Sequence, residues 1–162
     1  MEKEEVKKMF LDIAVAAISC DGDIDEREID KLKEIEKSSP YFSEFDLSKP
    51  LNKSLEISMK DLNAFQNTLF EYIKKSNLDI VQQLSAIDIC LEIIAADEKI
   101  EHSEIEFVKS LRKNLTVSND VVFERFGQID YLFLDEKSEF ESSDKSLFDN
   151  VSIKIIKKRN KK

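Results

Sequence analysis

The sequence predicts an all-α fold, a single compact helical domain of about six to seven helices. Three observations predict it. Two glycines and two prolines in 162 residues are too few for a protein rich in β-turns. Apolar residues recur at helical spacing over long stretches. A helix–turn–helix pattern also occurs twice, 76 residues apart, which indicates an internal repeat.

The composition fits one domain with a highly charged surface. Hydrophobic residues make up 41% of the chain and charged residues 36%, and 162 residues is near the usual size of one domain. The last nine residues carry six basic side chains and no acid, so residues 1–153 have a net charge of −15, against −9 overall. Such an acidic body repels nucleic-acid phosphates and favours cations and basic proteins as partners.

The cellular location follows from what the sequence omits. No apolar stretch approaches the ~20 residues of a membrane helix, and the acidic start MEKEE is unlike a signal peptide. Cys20 and Cys90 lie in apolar helical stretches without a CxxC spacing, which indicates buried, reduced thiols. These features favour a cytoplasmic protein.

The repeat is visible when residues 11–35 are placed on residues 87–111. Eight of the 25 positions are identical, and both copies have the same layout of apolar helix, Asp-led turn, Ile and second helix. The identical pairs are Asp12 and Asp88, Ile13 and Ile89, Ile18 and Ile94, Asp21 and Asp97, Ile24 and Ile100, Glu28 and Glu104, Ile29 and Ile105, and Lys33 and Lys109.

The first copy predicts two helices. Apolar spacing predicts a helix over about 3–20, which Asp21-Gly22 ends because glycine readily takes the left-handed conformation. Asp25 followed by Glu28 resembles a capping box and predicts a second helix over about 26–37.

The remaining elements follow in order. Serine, proline and aromatic residues over 38–51 predict a loop that packs against the core. Apolar periodicity predicts helices over about 59–76, 78–96 and 102–115. Ser118 or Asn119 caps a short helix that ends at Phe126. Beyond Gly127 we expect an irregular appendage or a small hairpin formed by 131–134 and 151–156, followed by a basic tail.

The acidic turns do not form EF-hands. When Glu28 is placed at loop position 12, Ala17 and Ser19 fall at positions 1 and 3, which need oxygen ligands for calcium, and both lie in an apolar helix. The same positions in the second copy are Ile93 and Ala95.

The two acidic segments nevertheless resemble a known family. AISCDGDIDEREI (17–29) and IAADEKIEHSEI (94–105) share an apolar helix that runs into an Asp-led turn, an Ile and a Glu. This doubled pattern is similar to the TerB-like family of tellurite-resistance proteins. The resemblance covers roughly residues 5–125.

The resemblance implies a domain plan and a role. Residues 1–126 would form the TerB-like domain, with pseudo-twofold related repeats at about 5–37 and 78–115, and residues 127–162 the C-terminal appendage. The family's association is with tellurite and oxidative stress in bacteria, phage or colicin resistance, and partner proteins at the membrane. Clustered acids would bind a divalent metal ion. The corresponding candidate ligands are Asp12, Asp21, Asp23, Glu28, Asp88, Asp97 and Glu104.

The second copy departs from the pattern, because Glu98 replaces the glycine and Lys99 replaces the acid at Asp23. Asp12 and Asp88 interrupt apolar helices, where a lone carboxylate is costly unless it is paired or metal-bound. Asp12 lies ~13 Å from Asp21 along a helix, so one ion cannot join them. We therefore hypothesise that Asp12 approaches Asp97 or Glu104 of the other copy.

Structural interpretations of the same acids stay open. Asp25 and Glu28 would serve as helix caps, whatever other role they have. Asp12 and Asp88 would face solvent or pair with lysine, while Asp21 and Asp97 would only tighten their turns. His102, the sole histidine, lies among acids, but its counterpart in the first copy is Glu26.

Catalysis finds little support in the sequence, which lacks a phosphate-binding glycine loop, G-x-S-x-G and HExxH. No small-molecule substrate is evident. Two non-enzymatic functions remain: a TerB-like stress-response or scaffold module that binds metal and docks on proteins, and an acidic immunity protein that neutralises a basic toxin or nuclease. The basic tail from Lys154 would be a solubilising end or would touch anionic lipid.

Overall fold

The computed structural model describes residues 3–97 and 99–135, and this part of the chain is all-α. It contains seven α-helices, two short 3-10 helices and no strands. The α-helices are α1 (Lys3–Ser19), α2 (Glu26–Ser38), α3 (Ser48–Lys60), α4 (Leu62–Ser76), α5 (Ile80–Ile94), α6 (His102–Lys113) and α7 (Asn119–Phe126). The 3-10 helices are Pro40–Phe42 and Asp130–Leu132. None of the helices described is long and apolar enough to cross a membrane.

The core forms around α1 and α5, the first helices of the two copies, which share the most extensive helix–helix contact. Every residue of α1 from Leu11 to Ser19 is buried except Asp12, which is partly exposed, because this stretch is apolar on almost all sides. In α5 the buried residues include Ile87, Cys90 and Ile94. α5 begins at a capping box, in which Asp79 accepts from the Gln82 amide and Gln82 in turn accepts from the Asp79 amide.

The predicted helix–turn–helix layout is confirmed in both copies. α1 and α2 form the first pair, and α5 and α6 form the second. Besides their own partners, α2 packs against α5 and α6 packs against α1, so the two pairs interleave around a common core. The second helix of each copy is therefore held beside the first helix of the other.

The predicted loop over 38–51 is wrong at its C-terminal end, because α3 begins at Ser48. Pro50 lies in the first turn of α3, where a missing N–H costs little. The face that α3 turns towards α1 includes Ser54 and Ser58, both almost fully buried, so apolar periodicity does not reveal the helix. Asp61 then separates α3 from α4 and caps α4 by accepting from the Ala64 amide at 3.1 Å.

The segment after α7 packs on the helical domain. The side chain of Arg112, only 1% exposed, donates from Nε to the Leu132 carbonyl at 2.7 Å. Asn119 exchanges two hydrogen bonds with the backbone of Leu134, and Leu132 is fully buried. Packing therefore continues past Phe126, and residues 130–132 form a 3-10 helix rather than a strand. Residues 136–162, which include the other predicted hairpin segment and the basic tail, lie outside the described residues.

Candidate functional site: an acidic cluster shared by the two repeats

Three acids from the two repeats meet at one place. Glu28 comes from the first copy, and Asp97 and Glu104 come from the second. One carboxylate oxygen from each lies within 4.8 Å of the other two. Glu28 and Glu104 are each only 2% exposed, whereas Asp97 is partly exposed and forms the solvent side of the cluster.

The interleaving of the helix pairs explains this meeting. Glu28 and Glu104 occupy the same position, the third residue of α2 and of α6 respectively. The packing of α2 and α6 around α1 and α5 brings these two helix N-termini together. Since a helix N-terminus carries a partial positive charge, the two helix dipoles offset part of the repulsion between the carboxylates.

One carboxylate oxygen of the cluster is buried without a hydrogen-bond donor among the described residues. Glu28 Oε2 is buried and receives no hydrogen bond from any described residue. Burial, together with the adjacent carboxyl group of Glu104, raises the pKa of Glu28 far above its ordinary value. Two buried carboxylates in contact cannot both ionise unless a cation lies between them, so this pair must hold either a proton or a metal ion.

The two Asp-led turns share an equivalent hydrogen bond. Asp21 Oδ1 accepts from the Asp23 amide at 3.0 Å, and Asp97 Oδ1 accepts from the Lys99 amide at 3.1 Å. Gly22 has φ +89°, a conformation that favours glycine. Asp21 and Asp23 are exposed and are not part of the three-acid cluster. Asp21 thus accepts a hydrogen bond within its own turn. Asp97 accepts the equivalent bond in the second turn and also belongs to the three-acid cluster.

Asp12 and Asp88, the acids inside the apolar helices, form separate polar contacts. Asp12 pairs with Lys8 at 2.9 Å and accepts from the Ser54 hydroxyl at 2.8 Å. Asp88 accepts from the Tyr41 hydroxyl at 2.5 Å and lies 3.7 Å from Arg125. Both acids are thus paired, and neither belongs to the three-acid cluster. The repeats meet through Glu28 rather than Asp12.

Asp25 is a neighbour of the cluster that sequence reasoning assigned only to capping. It caps α2 by accepting from the Arg27 amide at 2.8 Å, and its carboxylate lies beside that of Asp97. The Arg27 side chain and amide hold the pKa of Asp25 below its ordinary value, so Asp25 stays ionised. Glu104 accepts a hydrogen bond from the Glu101 amide, as the third residue of a helix does in a capping box.

Cys20 borders the cluster from the end of α1. Burial and then the nearby carboxylate of Glu104 raise the pKa of the Cys20 thiol to about 12, so it remains protonated at neutral pH. Cys90 is fully buried in the core. His102 is exposed and lies 3.8 Å from Glu106, outside the cluster.

Comparison with known proteins gives one match. The family model described as tellurite resistance protein TerB matches residues 9–125. The matched region contains both helix pairs and all seven candidate acids. No curated protein and no solved structure matches the chain.

Proposed function

The chain belongs to the TerB family, and from this premise we propose that it is a non-enzymatic module of tellurite and stress resistance that binds a divalent cation between its two repeats. Glu28, Asp97 and Glu104 are the proposed ligands. The module docks on other proteins in the cytoplasm, including partners associated with the membrane. Its acidic body favours partners with basic surfaces.

The observation that supports the proposal is the buried contact between Glu28 and Glu104. Ionised carboxylates without hydrogen-bond donors are costly to bury, and Glu28 Oε2 has none among the described residues. A divalent cation would remove this cost and would join α2 to α6. Ion binding would then strengthen the packing between the repeats, which suits a scaffold that responds to metal.

The spacing of the oxygen atoms suits a hard cation. Two ligands of one ion cannot lie farther apart than twice the metal–oxygen distance, which is ~4.6–5.2 Å for calcium and ~4.0–4.2 Å for magnesium. The three oxygens lie within 4.8 Å of one another, so no pair of them is farther apart than the upper limit for two ligands of one calcium ion. Partly exposed Asp97 leaves room for water to complete the coordination shell.

The side chains that most often perform catalysis are poorly placed for it. His102 is 87% exposed in its side chain and contacts Glu106 rather than a nucleophile. Burial raises the pKa of both thiols, so neither is a ready nucleophile at neutral pH. These placements support a binding function over an enzymatic one.

Thermal unfolding tests the proposal. The full chain is melted in EDTA and in ~1 mM calcium, magnesium, manganese or zinc, and an ion at about 100 times its Kd should add about 2.7 kcal/mol to the free energy of unfolding. Glu28→Gln should abolish this ion-linked gain. Asp23→Asn, an acid of the same loop outside the cluster, should retain it.

An unchanged melting temperature in all four ions would rule out the cation site. If the chain then captured a cationic nuclease tightly and without regard to metal, the immunity function would replace the proposed one. Equal loss of the ion effect in both variants would place the ion elsewhere on the acidic surface.

A further inference from the structure

A second acidic feature lies where the N-terminal half of α1 meets α3 and α4. It is a cleft of about 480 Å³. Glu4, Glu5 and Asp12 of α1 form one side. The rest of the lining consists of Lys8 and of three apolar or aromatic residues, Phe45, Pro50 and Tyr72. The cleft therefore combines carboxylates with apolar and aromatic surface.

The charge of the cleft is negative. Lys8 is paired with Asp12 at 2.9 Å, and Asp12 is further held by the Ser54 hydroxyl. Three acids, Glu4, Glu5 and Asp12, and one lysine line the cleft, so the formal charge of its lining is negative. Burial, and then the nearby carboxylates of Glu5 and Asp12, raise the pKa of Tyr72, a residue that is 42% exposed. A ligand for this cleft would carry positive charge next to apolar groups.

The sequence of this chain contains such a ligand. Residues 151–162 (VSIKIIKKRNKK) contain four β-branched apolar residues and six basic residues. Most of the basic residues follow the apolar ones. This segment lies outside the described residues. The 15 residues from 136 to 150 could span up to about 50 Å when extended. A domain of this size has a radius of gyration of only ~14 Å, so the segment can reach any side of it.

We propose that this cleft binds the chain's own C-terminal segment, residues 151–162. The isoleucine side chains of the segment contact Phe45, Pro50 and Tyr72, and its basic side chains lie against Glu4 and Glu5. Lys157 and Lys158 directly follow Ile155 and Ile156, so one stretch supplies both kinds of contact. Because the segment is tethered, its effective concentration is of millimolar order and a weak contact suffices.

The acidic turns compete poorly for the same segment. Asp21, Asp23 and Asp25 concentrate more negative charge, but Asp21, Gly22 and Asp23 are all exposed to solvent. Charge alone would attract the basic residues to the turns as loosely as to any acidic surface. Aromatic and apolar lining beside the glutamates is what distinguishes the cleft.

Carbodiimide cross-linking of the full chain in EDTA tests the proposal, because this reagent joins a lysine amine to a carboxylate only when the two are in contact. Peptide mass spectrometry should find Lys157 or Lys158 linked to Glu4 or Glu5 in preference to Asp21 or Asp23. The preference should disappear in ~0.5 M salt, where the Debye length falls to about 4 Å. In an equal mixture of ¹⁵N-labelled and unlabelled chains, a link within one chain joins two peptides that carry the same nitrogen isotope. We expect all of these links to be of this kind.

Two exposed aromatic residues provide matched variants. Tyr72→Ala removes apolar lining and should lower the yield of these links about fivefold, the factor that ~1 kcal/mol of lost apolar contact produces. Phe123→Ala, which removes an equally exposed ring from α7, should leave the yield unchanged. Circular dichroism establishes that both variants are folded.

Three results would overturn the proposal. Links spread evenly over the acidic surface would mean that charge alone attracts the tail. Links of mixed isotope would place the tail of a second copy in the cleft. Equal yields from the Tyr72 and Phe123 variants would show that the cleft has no part in the contact. None of these results bears on the cation site, which is tested separately through Glu28.

Discussion

Glu28 and Glu104, equivalent residues of the two repeats, meet with carboxylate oxygens within 4.8 Å although each is only 2% exposed. Repetition of the sequence alone does not require this, since the two residues are 76 positions apart. They meet because α2 and α6 present their N-termini to the same point. The contact stabilises the fold only when a proton or a cation is bound there.

The pH dependence of stability should therefore be unusual. Glu28 is deprotonated in the unfolded chain above ~4.3, whereas its pKa in the fold is raised to about 9. Between these values the folded state binds more protons than the unfolded state, so the free energy of unfolding should fall as pH rises. Urea denaturation in EDTA from about pH 5 to 9 measures this.

Glu28→Gln should remove most of that slope and raise stability at pH 8 in EDTA. One pKa unit corresponds to about 1.4 kcal/mol, so a gain of at least ~1 kcal/mol is expected. Asp23→Asn serves as the control, because Asp23 is exposed and outside the cluster. A Gln variant that is less stable than the parent chain at pH 8 would contradict the buried repulsion between the two carboxylates.

Tyr41 and Asp88 should be energetically coupled. The Tyr41 hydroxyl donates to Asp88 at 2.5 Å and ties the 3-10 helix after α2 to α5. Hydrogen bonds to charged groups contribute ~1.5–3 kcal/mol, so Tyr41→Phe should cost about 1–2 kcal/mol in the free energy of unfolding. The double variant with Asp88→Asn should cost clearly less than the sum of the single ones. Additive costs would mean that the bond contributes nothing.

Arg112 should be among the least replaceable charged residues of the described chain. Its buried guanidinium bonds to the Leu132 carbonyl and to Asn119, which holds the Leu134 backbone. Arg112→Met should cost about 3 kcal/mol, because the buried acceptors lose their donor. The neighbouring exposed Lys113→Met should change stability by less than ~0.5 kcal/mol. Equal effects in chemical denaturation would contradict the structural role of Arg112.

Both thiols should react slowly while the chain is folded. Cys90 is fully buried, and the pKa of Cys20 is about 12 because of burial and nearby carboxylates. A disulfide reagent at pH 8 should modify Cys20 at least ~100-fold more slowly than a free thiol of pKa ~8.5. In urea both thiols should react at the free rate. Rapid reaction of Cys20 in the folded chain would contradict this environment.

Local chemistry determined much of this fold. The helices α1, α2, α5 and α6 follow from apolar periodicity and, for α2, from the cap at Asp25, which act within a few residues. α3 escaped prediction because its contact with α1 includes two serines, Ser54 and Ser58, at buried positions where apolar residues are expected. Its start is also masked by Pro50, which is tolerated in a first helical turn.

The sequence by itself determined the all-α class, the doubled helix pair and the family, since each depends on spacing along the chain. Only the tertiary structure decided which acids meet. Asp12 lies beside Lys8 and Ser54, whereas Glu28, read first as a cap residue, reaches Asp97 and Glu104. The reason is physical: contact between distant carboxylates depends on how α2 and α6 pack around α1 and α5, and no local pattern encodes that packing.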